Sequence, residues 1–482
     1  MSPMRHALTF LSLAAAALGA VALAPACSSD PGQPDGALDA GADLLVPPPI
    51  QRTETEAQLA PKRAACAFGA GAWPAETIGT DYPIGADIPI DHVIVIEQEN
   101  RSFDHYLGRL VAQGYYQASE IDVPPPGWSN PDGDGGTVVP HPDDANCFTA
   151  NHGWNDMHDD YDNGALDHFV TNNNPGGQKS FYYEDDTTIP FYYALASTFS
   201  VGDRYFAPVM TSTWPNRLFL MAATSFGIGD NSFVTTDTVD HPAAQIFSLL
   251  DAAGRTWKDY TDGPHQVAFF PTYGWQHATL MNYADMKCQL LTDIQNDTLP
   301  DVAFVMGSEV GETSDEGPSA LAGIGGELVE GLLRALFASP AWKRTAVFVT
   351  YDENGGMADH VPPAPACPPD SLAPHDGKGN ALAGAFDKTG FRVPFIVVSP
   401  YARKHFVSHV VHDHTSITRF IEARFGLPAL TARDANATPP MEAFDFANPP
   451  FLTPPTIAAT TTVTPTVLQQ CGQTEVKLGC SN

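Results

Sequence analysis

The chain has 482 residues, enough to bury a large core and, by length alone, to form up to about three domains. Its 24 Lys+Arg against 56 Asp+Glu give a formal net charge of -32, which repels polyanions and excludes nucleic acid and strongly anionic membranes as general partners. The 43 prolines and 40 glycines follow no repeating period, so a collagen-like chain is excluded and long irregular connections are expected.

Met1 to Ala26 has a short basic start (Arg5, His6), an Ala/Leu-rich apolar run from Ala7 and small residues before Cys27, the pattern of a secretory signal peptide. The run also approaches the length of a membrane span, so an uncleaved anchor is a second reading. LAPAC followed by Ser28, Ser29 and Asp30 resembles a bacterial lipoprotein processing site, which would put a lipid on Cys27 and attach the chain to a membrane. Setting Cys27 aside leaves Cys66, Cys147, Cys288, Cys367, Cys471 and Cys480, an even set suited to an oxidising compartment, with Cys471–Cys480 as the first pair to expect. Residues 27–81 read as a flexible tether, because the stretch to about Ala65 is rich in Asp, Gly, Pro and Ala and lacks aromatics.

His92 to Ile96 is a short, β-branched, apolar run expected as a strand buried on both faces. Glu97, Gln98, Glu99, Asn100, Arg101, Ser102 and Asp104 follow at its C-terminal end, where open parallel sheets place their ligands. Ala118 to Asp144 is a Pro/Gly/Asp loop whose DGDGG lacks the remaining spacing of a calcium loop and reads as a solvated turn. His152, Trp154 and His158 come next, and a histidine here can orient a phosphoryl group or donate a proton to a leaving oxygen. Ser212 and Thr213 stand just before the helix-compatible run Leu218 to Ala223, so either hydroxyl meets the positive end of a helix or simply caps it. Arg217 is suited to a phosphoryl group or to a carboxylate. The aromatics of Ile246 to Tyr283 read as core or as the wall of a cation pocket.

Leu299 to Met306 and Thr345 to Thr350 are further buried-strand candidates, separated by the amphipathic helix Gly325 to Phe337. Asp352 and Glu353 end the second of these strands. Brought beside Glu99 and Asn100, they offer hard oxygen ligands to one divalent metal ion. Gly355-Gly356 then permits a close backbone approach. Arg392 to Ser399 reads as a returning strand, and Thr415 to Gly426 as a helix ending at a glycine, with His412, Asp413 and His414 before it.

Five of these segments, in order, resemble the bacterial phosphoesterase family that contains phosphatidylcholine-type phospholipases C and related acid phosphatases. They are IEQENRSFDHYLG from Ile96, HGWNDMHDDYDNGALDHF at 152–169, DRYFAPVMTSTWPNRLFL at 203–220, TAVFVTYDENGGMADHVPP at 345–363, and GFRVPFIVVSP with DHTSITRFIEARFG at 390–426. The resemblance implies an alkaline-phosphatase-like, three-layer α/β/α sandwich with a predominantly parallel sheet. The catalytic domain would span 82–430 and be followed by an extended tail at 431–482. Set against the family pattern GPTDPNR, the TSTWPNR of this chain puts the nucleophile at Thr213, with Ser212 as the alternative. His360 stands at the spacing of the family's second site histidine. Most relatives carry Glu-His-Pro after the strand ending at Met306; if Glu316 takes the place of that histidine, one phosphate-site or acid-base function is altered. The implied activity is phospholipase C-like diester hydrolysis outside the cytoplasm. The alternatives are an acid phosphatase acting on monoesters and an inactive lipoprotein that binds a phosphorylated ligand.

Overall fold

The computed structural model describes residues 45, 47–142, 150–231, 245–261, 266–270, 278–280, 283–307, 316 and 322–461. In chain order its main elements begin with α1 (Glu56–Ala64), β1 (His92–Gln98), α2 (Phe103–Leu107), α3 (Trp154–Tyr161), α4 (Pro190–Thr198), β2 (Ser200–Gly202) and α5 (Thr213–Ala222). They continue with α6 (Ile246–Ala252), β3 (Trp257–Thr261), β4 (Ala278–Leu280), α7 (Tyr283–Gln295), β5 (Val302–Met306), α8 (Ala322–Ala338), β6 (Thr345–Tyr351), β7 (Phe395–Val398), β8 (Phe406–Ser408) and α9 (His414–Phe425).

The strands form a sheet in the order β8-β2-β7-β6-β1-β5-β3-β4. β7 runs antiparallel to both neighbours and all other pairs are parallel. The long connection from β6 returns at the end of the sheet where it left, without a helical crossover, and so reverses the chain direction at β7. Val93 to Ile96 are at most 3 % exposed, as expected for a strand covered on both faces.

Side-chain alternation places the helices. Glu97 faces Arg217 of α5 and His414 of α9, whereas the next residue, Gln98, donates to the Gly325 carbonyl of α8 on the other face. Helices on both faces give the three-layer α/β/α arrangement expected from the resemblance. β1 and β6 run parallel in the register Gln98↔Tyr351, so their polar extensions Glu99-Asn100 and Asp352-Glu353 emerge side by side.

The tether expected over 27–81 does not hold along its whole length. α1 buries Leu59 and Arg63, and Cys66 is disulfide-bonded to Cys367, so this stretch packs on the domain. Thr55, Glu56 and Gln58 supply the capping chemistry that starts α1 despite the apolar-poor composition. The described part of the tail expected over 431–482, through residue 461, is not simply extended: it opens with a short helix, Ala432–Ala435, and then lies on the domain with Phe451 and Ile457 buried and Arg334 donating to the carbonyls of Ile457 and Ala459. Cys27, Cys471 and Cys480 lie outside the described residues. No helix among the described residues is long and apolar enough to cross a membrane.

Candidate active site

Thr213 is the first residue of α5 and is 2 % exposed. Its hydroxyl donates to Glu99 Oε1 (2.8 Å), which separates it from Ser212, the N-cap residue of the same helix. Arg217, one turn on, faces the same way. Its Nη2 donates to Glu99 Oε2 (2.6 Å), its Nη1 to Glu97 Oε2 (3.1 Å), and its Nε lies 3.5 Å from Asp352 Oδ2. Glu97 and Glu99 reach one guanidinium because residues two apart in a strand share a face.

The ends of β1 and β6 are tied together by backbone. The amides of Asn100 and Glu353 donate to Asp352 Oδ1 (2.8 and 2.7 Å), and the Gly355 amide donates to Glu353 Oε2 (2.6 Å). Asn100 holds a left-handed φ of 60°, a conformation uncommon for residues with a side chain and frequent at functional turns. A Cβ at Gly355 would stand 2.6 Å from the Asn100 carbonyl oxygen, so the two strand ends approach this closely only with glycine there.

His152 Nδ1–H donates to the Ala150 carbonyl, leaving Nε2 at 3.8 Å from Glu353 Oε1. Burial pulls the His152 pKa down, but Glu353 and the Ala150 carbonyl outweigh it and the net direction is upward. His414 behaves oppositely. Its Nε2–H donates to the Asp352 carbonyl, Tyr205 donates to its Nδ1, and burial pushes its pKa down to about 4, so it sits as a neutral imidazole against the cluster.

Burial raises Glu97 and Glu353 to about 7 and Asp352 well above its ordinary value. Four carboxyl groups, Glu97, Glu99, Asp352 and Glu353, thus face one guanidinium, Arg217, and two imidazoles, His152 and His414. Glu97 Oε1, Asn100 Oδ1, Asp352 Oδ2 and Glu353 Oε1 are buried without a hydrogen-bond partner. Buried oxygens with excess negative charge are costly unless something positive meets them, and hard oxygens of this kind suit a divalent cation. The structure brings Glu99, Asn100, Asp352 and Glu353 to one cluster at the ends of β1 and β6, with both Glu99 oxygens already bonded to Thr213 and Arg217. Among the described residues, the side chains whose ligand atoms all converge within 4.8 Å are instead Asp104, Asp359 and His360, and Asp162, Asp167 and His168.

The other expectations divide. His360 is placed elsewhere: its Nδ1 lies 2.6 Å from Asp104 Oδ2 and its Nε2 3.1 Å from Asp122 Oδ1, and none of its hydrogen bonds reaches Thr213, Glu99, Asp352 or Glu353. Buried Arg392 donates to Asp104 (2.7 Å) and Asp359 (2.8 Å) in the same group. Asp104, Asp359 and His360 form a compact set with metal-ligand geometry, but Arg392 already occupies two of those carboxylates. Glu316 also leaves the site. Its carboxylate accepts from Tyr106 (2.9 Å), Tyr192 (2.6 Å) and Tyr351, and Tyr351 points to the opposite face from Asp352. His158 bonds back to the Trp154 carbonyl and stacks on that ring. Trp257, Tyr260, Phe269 and Phe270 are core, while Tyr273 and Trp275 lie outside the described residues. Glu97 was present in the polar run but not singled out; its position two before Glu99 on the same strand was the available signal.

The family profile described as the phosphoesterase family matches residues 90–428. The chain is 30% identical over 429 residues to the non-hemolytic phospholipase C of Burkholderia pseudomallei, a match covering 75% of this chain and 59% of that protein. It is 31% identical over 452 residues to phospholipase C B of Mycobacterium tuberculosis, covering 80% and 81% respectively. Among solved structures, a protein of the alkaline phosphatase superfamily from Vibrio parahaemolyticus aligns with a TM-score of 0.40 at 10% identity, over 82% of this chain and 80% of that one.

Proposed function

The chain belongs to the phosphoesterase family, and from that premise we propose that it is an exported, phospholipase C-like hydrolase of phosphodiesters that uses Thr213 as its nucleophile. The observation that carries this reading is the bond from the buried Thr213 hydroxyl to a Glu99 carboxylate that Arg217 holds in place. Relatives printed as phospholipases C support the diester branch.

In the proposed reaction Glu99 receives the Thr213 proton as Oγ1 attacks phosphorus, so a Thr–O–P bond forms and the ester P–O bond to the alcohol breaks. His152, whose protonated form the facing Glu353 favours, donates a proton to the leaving oxygen. Water then hydrolyses the phosphothreonyl ester and returns Thr213. Arg217 fixes Glu99 and spreads positive charge beneath the phosphoryl oxygens. Asn100, Asp352 and Glu353, which keep oxygens without a hydrogen-bond partner, would hold one divalent cation beside Glu99, and when bound it would lower the pKa of the hydroxyl and offset phosphate charge. The leader pattern over 1–26 and the Cys66–Cys367 disulfide support export, with lipid on Cys27 as the proposed anchor.

The test is hydrolysis of a chromogenic phosphocholine diester and of a phosphate monoester, with and without chelator, beside Thr213→Ala. Diester turnover lost in the variant supports the proposal. Monoester-only turnover moves the protein to the phosphatase branch, and no turnover with any added divalent metal leaves a ligand-binding lipoprotein.

A further inference from the structure

A cavity of about 630 Å³ opens beside the Arg392 cluster. It belongs to none of the proposed chemistry: neither Thr213 nor Glu99, Asp352 or Glu353 lines it. Its wall is largely hydrocarbon and aromatic, built from Ile121, Pro124 to Pro126, Trp128 and Val139, and Val139 is 52 % exposed at its rim. A concave, mostly apolar space of this size with a few polar groups is the ordinary form of a small-molecule site.

The polar groups decide what it takes. Asp104 and Asp122 reach the lining, but Arg392, His360 and Arg204 already pair with them. Arg109 is different. Its guanidinium lies over the Tyr183 ring at 4.5 Å, its Nε is buried without a hydrogen-bond partner, and no carboxylate among the described residues pairs with it. In a chain with 24 cationic and 56 anionic side chains, an arginine facing a cavity without an acidic partner stands out. Stacking on Tyr183 fixes the plane of the guanidinium and leaves its N–H edge for an oxyanion.

We propose that this cavity is a second ligand site, separate from the Thr213 centre, that binds an organic oxyanion with an apolar body. The carboxylate or phosphate head would meet Arg109, and the hydrocarbon part would lie along Trp128 and the prolines. A fatty-acid-type carboxylate and an alkyl phosphate share this chemistry.

The test is calorimetric titration of the full chain carrying Thr213→Ala with decanoate and decyl phosphate, each below its micelle concentration, and with the uncharged decanol below its solubility limit. That background keeps the site free of turnover, so the result does not depend on the catalytic proposal. The inference predicts that at least one anion binds, that decanol binds about tenfold more weakly or worse, and that Arg109→Gln removes the difference. Ala112→Trp, at an exposed wall position, should block the same binding without disturbing the core. Decanoate binding alone would assign a carboxylate ligand, and decyl phosphate binding alone a phosphate one. Equal affinity for decanol, binding untouched by Arg109→Gln and Ala112→Trp, or no binding of either anion by a variant-free Thr213 chain as well, would overturn it.

Discussion

Two buried arginines sit among carboxylates near the same end of the sheet, and their surroundings differ in one respect. Around Arg392, the side-chain oxygens of Asp104, Asp359 and Asp122 all find donors in Arg392, His360, Arg204 or backbone amides. Around Arg217, Glu97 Oε1, Asp352 Oδ2 and Glu353 Oε1 do not, and neither does the nearby Asn100 Oδ1. The first group is complete as it stands and holds the loops after β1 and β6 together. The second keeps buried carboxyl and amide oxygens without a hydrogen-bond partner, and the Thr213 hydroxyl at the start of α5 bonds into it. Leftover oxygens gathered from several side chains around one buried guanidinium, beside a hydroxyl, set the second group apart from the first.

The largest effect that would sharpen this contrast is on turnover. Thr213→Ala should lower kcat for the diester by at least about 10³-fold with little change in stability, since the reaction then lacks its nucleophile. A fall of only a few fold in steady-state kinetics would break the assignment. Next comes stability. Arg392→Met leaves Asp104 and Asp359 buried and unpaired and should cost about 3–5 kcal/mol in urea unfolding, whereas Thr213→Ala should cost far less. Removing the Cys66–Cys367 bridge by a double Cys→Ala change should cost about 2–5 kcal/mol, because it ties α1 to a loop 301 residues away.

The smallest expected effect is in the pH dependence. Burial lowers the His360 pKa, but Asp104 outweighs it and the folded value is raised. Nδ1 and Nε2 both lie within hydrogen-bond distance of carboxylates, which favours the protonated ring, while the Arg392 guanidinium, 3.2 Å from Nδ1, opposes it. The stability this gives is fully present below the unfolded histidine value and is lost as pH rises through the higher folded value. Wild type should therefore lose stability relative to His360→Gln as pH rises from the unfolded histidine value through the raised folded one, and parallel profiles would remove His360 from the structural cluster.

Much of this was legible in the sequence because it rests on local pattern. β1, β5 and β6 announce themselves as short apolar runs, whereas the face shared by Glu99 and Asp352 also depends on the Gln98↔Tyr351 register. α9 ends at Gly426, whose φ of 68° is the left-handed cap a glycine supplies. What was not legible depends on contacts far apart in sequence. His360 follows the polar strand end at a familiar spacing, yet Asp104 and Asp122, more than 200 residues earlier, draw it into the other cluster. Glu316 is captured by three tyrosines from three elements, and Cys66 finds Cys367; spacing alone carries neither fact. The β3 and β4 strands were hidden within an aromatic-rich stretch that has neither a clean period of two nor a clean helical period.

The most direct test of the contrast is divalent-cation binding to chelator-treated protein by calorimetry, comparing wild type, the Asp352→Asn/Glu353→Gln double variant and His360→Gln. The account predicts binding in wild type and His360→Gln, and affinity at least about tenfold weaker in the double variant. Binding that survives the double change and disappears with His360→Gln would place the cation in the Arg392 cluster and contradict it.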